Sequence, residues 1–117
     1  MNRELQDKID WIKTNGFKQY PHSNKGSGGV DLILCKTFHE KSKVECKCND
    51  KAPQVVITPY YWAFGGGYIS FKLELTGEDC NGLWPNIHYS LTTEELESSF
   101  DEVVDRLYSA WNLLANA

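Results

Sequence analysis

At 117 residues, 41% hydrophobic and 24% charged, the chain has the size and balance of one globular domain that closes a core without disulfides or a metal. Sixteen acids against twelve lysines and arginines leave a net charge of −4, which excludes a general DNA-backbone binder, since that role needs clustered cations. Apolar runs span only a few residues, such as Leu32 to Cys35, and the start Met1-Asn2-Arg3-Glu4-Leu5 is charged. Neither a membrane span nor a secretory leader is therefore expected, and the reading is cytoplasmic, with the four cysteines as free thiols.

Residues 3 to 14 read as a helix. Leu5, Ile9 and Ile12 fall on one face at the helical period, Asn15-Gly16 supplies the stop, and Gly16 suits the left-handed position after the cap. Phe17 then packs back toward Ile12. Residues 18 to 29 read as a loop, because Pro21, Ser23, Asn24 and Gly26-Ser27-Gly28-Gly29 discourage regular structure.

Strands follow. Val30 to Phe38 is rich in β-formers, and Lys43 to Cys48 alternates strictly, with Val44, Cys46 and Cys48 on one side and Lys43, Glu45 and Lys47 on the other. Gln54 to Trp62 is the next run, and Pro59 inside it predicts an edge strand or a bulge. Gly65-Gly66-Gly67 turns the chain into Tyr68 to Leu75, where Ile69, Phe71, Leu73 and Leu75 point inward. A short strand near Ile87 to Ser90 comes last. Short connections favour an antiparallel meander.

The final helix has the strongest local signal. Thr92 and Glu95 form a capping box, Leu91 and Leu96 a hydrophobic staple, and Leu96, Phe100, Val103, Val104, Leu107, Trp111 and Leu114 an apolar stripe. The expected fold is α+β: an N-terminal helix, an antiparallel meander of four to five strands and a C-terminal helix, both helices on one sheet face. The opposite face is then open, or used.

Several residue groups carry candidate chemistry. Cys46 and Cys48, with Cys35 and Cys80, supply four thiols, but only one close pair, and that in a strand. The spacing is wrong for structural zinc, so no metal or cofactor is expected. His22, His39 and His88 lie near loops or strand ends without any nucleophile signature, although a spatial pairing such as Cys80 with His88 stays open. Lys25-Gly26-Ser27-Gly28-Gly29 precedes a strand, whereas phosphate loops enter helices, so it reads as a turn.

Two surfaces remain. Glu94, Glu95, Glu97, Asp101, Glu102 and Asp105 crowd the last helix against Arg106 alone. The macrodipole accounts for acids in the first turn, but not for Asp101, Glu102 and Asp105. With Glu97 these make the candidate docking face for a basic protein partner. Alternatively, Tyr60, Trp62 and Tyr68, on one sheet face with Lys43, Lys47 and Lys72, form a stacking platform with cations, suited to single-stranded nucleic acid or nucleotides.

The tail from Leu83 to Leu114 reads Leu-Trp-Pro-Asn-Ile-His-Tyr-Ser-Leu-Thr, then Glu-Glu-Leu, then Arg-Leu-Tyr-Ser-Ala-Trp. It resembles the ends of small uncharacterised proteins carried by bacteriophages and prophages. The resemblance covers about a quarter of the chain and implies an accessory role in a phage or mobile element, with no catalytic residue carried over. The expected function is a non-catalytic binding protein.

Overall fold

The computed structural model describes residues 2–22, 30–37, 54–62, 67–76 and 87–115, without the side chains of 111, 112, 114 and 115. Helix α1, Arg3–Thr14, opens the chain, and helix α2, Thr93–Ala115, closes it. Between them run β1 (Lys18–Pro21), β2 (Leu32–Thr37), β3 (Gln54–Trp62), β4 (Tyr68–Thr76) and β5 (His88–Thr92). The five strands form one antiparallel sheet in the order β1-β2-β3-β4-β5, which is the expected meander.

Both helix ends are built as their sequences dictate. The Asn2 side chain accepts the Leu5 N–H at 3.2 Å and starts α1. At the other end Gly16 has φ +88°, and its N–H donates to the Lys13 carbonyl at 3.1 Å. Lys36 reaches over from β2, and its Nζ donates to the Asn15 carbonyl at 3.1 Å while lying 5.9 Å above the Phe17 ring. A cation thus sits at the negative end of the helix dipole. At the start of α2 the capping box closes reciprocally. Thr92 N–H donates to Glu95 Oε1 at 3.1 Å, and Glu95 N–H to Thr92 Oγ1 at 3.3 Å.

The core lies between the helices and one sheet face. Leu5, Ile9 and Ile12 of α1 and Leu96, Phe100, Val103 and Leu107 of α2 share one buried cluster with Leu34, Ile57, Phe71, Leu73 and Leu91. Phe100 is the hinge pin of this layer, with its ring edge-on to Trp11 at 4.9 Å and to Phe17 at 5.6 Å. Both helices therefore cover the same face.

Two proline positions correct the expectations. Residues 18 to 21 are not loop but strand β1, paired Lys18↔Cys35 through Pro21↔Leu32. The His22 N–H donates to the Asp31 carbonyl at 3.2 Å. Since antiparallel rungs alternate, the nitrogen of Pro21 points away from β2, to the outer side of an edge strand, and no ladder bond is lost. Likewise β3 is central rather than an edge strand, and its register with β4 runs unbroken from Gln54↔Thr76 to Trp62↔Tyr68, so Pro59 makes no bulge. The Leu75 N–H donates outward to the Ile87 carbonyl at 3.1 Å. The same alternation turns Phe71 toward β5 and its partner Pro59 toward the β2 side, where the β2–β3 register has already ended at Leu34↔Ile57. The strand predicted over Lys43 to Cys48 lies outside the described residues.

Candidate functional site

Alternation sorts the far face of the sheet. Ile33 and Cys35 of β2 and Val56 of β3 form a second buried cluster against which Tyr20 packs, and Gln54 and Thr58 are buried beside them. The expectation of an open far face thus fails over β2 and the first half of β3. It holds toward the β3–β4 hairpin and β5, where side chains are half-buried or exposed.

At that hairpin the predicted aromatic residues come together. The rings of Tyr60 and Trp62 lie 6.4 Å apart between centroids and within 12° of parallel. Trp62 is directly opposite Tyr68, which is 52% exposed. Tyr61 turns to the other face and packs against the main core. Gly67 has φ +84°, a left-handed conformation that favours glycine, and a Cβ there would also come within 3.3 Å of the Tyr61 hydroxyl. Lys72 projects from the same face as Tyr68, and its Nζ lies 3.6 Å from Glu74 Oε1. Lys43 and Lys47, the other cations of the predicted platform, lie outside the described residues, as do Cys46, Cys48, Cys80 and His39.

The acidic residues of α2 are all solvent-exposed, on the side away from the seated stripe. Two of the four candidate docking residues have cation partners within the chain. Glu97 Oε1 is 3.6 Å from Lys8 Nζ on α1, and Glu102 Oε1 accepts from Arg106 Nη2 at 2.6 Å one turn on. Asp101 and Asp105, also one turn apart, have no ion pair among the described residues. An open groove runs beside them, lined by Tyr89 of β5 and by Glu102, Asp105, Arg106, Ala110 and Leu113 of α2. Leu113 is 76% exposed and Tyr108 42%.

Sequence reasoning missed this groove, together with Leu113 and Tyr108. Tyr89 alternates inward on β5, and only the packing of α2 against β5 sets it beside Leu113; no spacing rule foretells that. Among the described residues no group of three His, Cys, Asp or Glu side chains is placed to hold a metal ion, and no helix is long and apolar enough to cross a membrane. Comparison with protein-family models, with curated proteins and with solved structures returns no match for this chain.

Proposed function

We propose that the chain is a small non-catalytic binding protein that docks on a basic surface of a macromolecular partner through the outward face of α2. The observation that carries this is Asp101 and Asp105: exposed, one turn apart, and without an internal cation among the described residues. Like charges at that spacing destabilise a helix by a few tenths of a kcal/mol, about 0.2–0.5, so they serve no local structural end. The macrodipole rewards Glu94 and Glu95 in the first turn and fades before Asp101.

Asp105 also lines the groove together with Tyr89, Ala110 and Leu113. A lysine or arginine of the partner would meet the carboxylate, and its aliphatic stem would lie along Leu113. The exposed Tyr108 adds an aromatic anchor of the kind that carries binding energy. An accessory protein of a phage-like element, as the resemblance of the tail implies, would act by occupying a basic site on its target.

The test compares two charge reversals of equal size. Asp101→Lys with Asp105→Lys alters the proposed face, while Glu4→Lys with Asp7→Lys alters exposed residues of α1. Binding of a labelled arginine-rich peptide is followed by stopped-flow anisotropy at low and high salt. The α2 reversal slows association and the α1 reversal does so far less, and salt weakens the native interaction. Equal effects of both reversals, or indifference to salt, would sink the docking face.

A further inference from the structure

We infer a second binding surface, independent of α2: Tyr60, Trp62 and Tyr68, with Lys72, form a stacking site for unpaired bases of single-stranded nucleic acid. Two residues along a strand advance by about 6.7 Å, and the Tyr60 and Trp62 rings keep that spacing at 6.4 Å, so the strand sets the distance rather than ring-to-ring contact. Their near-parallel planes, 12° apart, offer two flat faces in one orientation. Tyr68, across from Trp62 and 52% exposed, extends the aromatic surface onto β4. Every base has a π-face, so such a row accepts successive bases without regard to sequence.

The surroundings favour a strand over a protein partner. Among the described neighbours of the rings are hydroxyls and a cation. Ser70 is opposite Tyr60, Thr92 is opposite Ser70, and Lys72 is the next residue on this face of β4. The aliphatic residues of the far face, Ile33 and Val56, are instead buried. Among the described residues Lys72 pairs with Glu74, both side chains about one-third exposed (34% and 31%). Surface pairs of this kind are weak and readily exchange for a phosphate.

Charge is also segregated by layer. Among the described residues the acids concentrate on α2, whereas the far face carries Lys18 and Lys72 against Glu74 alone. The charges of the described residues thus favour approach of an anionic strand to the sheet side rather than to α2.

The experiment titrates the full chain against a labelled single-stranded oligonucleotide of about 15 nucleotides, read by anisotropy at about 50 and 200 mM salt. Binding is expected, strongest at low salt. Tyr60→Ala with Trp62→Ala weakens it by roughly tenfold or more. Tyr60→Phe with Trp62→Phe, which keeps the rings and guards against a folding artefact, retains it. Lys72→Gln lowers the slope of log affinity against log salt by about 0.7. The Asp101→Lys, Asp105→Lys variant, which raises the net charge by four units, does not weaken it. Absence of binding by the unmodified chain at the lower salt, equal binding by a folded Tyr60→Ala, Trp62→Ala variant, or equally tight binding of a duplex, whose paired bases cannot reach the rings, overturns the inference.

Discussion

Truncating Phe100 to alanine is the sharpest test of how α2 is seated. The ring is 3% exposed, and it meets Trp11 edge-on at 4.9 Å and Phe17 at 5.6 Å. It therefore ties α2 to α1 and to the segment that follows α1. Phe→Ala in a packed core costs about 3–5 kcal/mol, part of it from the cavity left behind. Each edge-to-face pair is worth about 0.5–1.5 kcal/mol beyond area burial. A loss of about 4 kcal/mol is a large share of the roughly 5–15 kcal/mol that holds a domain together. For a chain of 117 residues, with an unfolding entropy of about 2.1 cal/mol/K per residue, that lowers the Tm by about 15 °C. Urea unfolding followed by far-UV circular dichroism gives the free energy, and the m-value should be unchanged. A double-mutant cycle with Trp11→Leu should return a coupling of about 0.5–1.5 kcal/mol. A loss below about 1.5 kcal/mol, far short of a core phenylalanine, or a coupling near zero, would refute the seating of α2 described here. It would also undermine the docking proposal, because Phe100 decides which side of the helix turns outward.

Two capping predictions accompany it. Gly16→Ala places an ordinary side chain at φ +88° and a Cβ at 3.4 Å from Cε and Nζ of Lys36, the residue that caps the Asn15 carbonyl. Stability should fall by about 1–2 kcal/mol, seen as a lower urea midpoint, and an unchanged midpoint would argue against the left-handed turn. Thr92→Ala removes the hydroxyl that accepts the Glu95 N–H and should cost about 1 kcal/mol. Glu95→Gln, whose amide oxygen still reaches the Thr92 N–H, should lose much less. If the two variants lost equally, the reciprocal cap would not be the source of the effect.

Local chemistry, read along the chain, determined the elements and their inward faces. Leu5, Ile9 and Ile12 repeat at the helical period, Ile69, Phe71, Leu73 and Leu75 at the strand period, and Thr92 with Glu95 marks a helix start; all of these are interactions over four residues or fewer. From them follow the α+β class and the meander. The direction of Tyr60 and Trp62 was legible for the same reason, because alternation on a strand leaves no choice of side.

Only the tertiary structure decided which backbone groups face a neighbour. Pro21 and Pro59 both looked like breaks in pairing, and both are absorbed because their nitrogens point to places where no ladder runs, one outside β1 and one past the end of the β2–β3 pairing. Proline chemistry is local, but which side of a strand has a neighbour is set by sheet order. The same holds for charge. α1 brings Lys8 Nζ to 3.6 Å from the exposed Glu97, a pairing between helices that no spacing along the chain encodes, whereas Arg106 pairs with Glu102 one turn away on the same helix. The groove beside Asp105 exists because α2 packs along β5 and brings Leu113 near Tyr89, residues 24 positions apart in sequence. Contacts of that range depend on how helix and sheet meet, which no local period encodes.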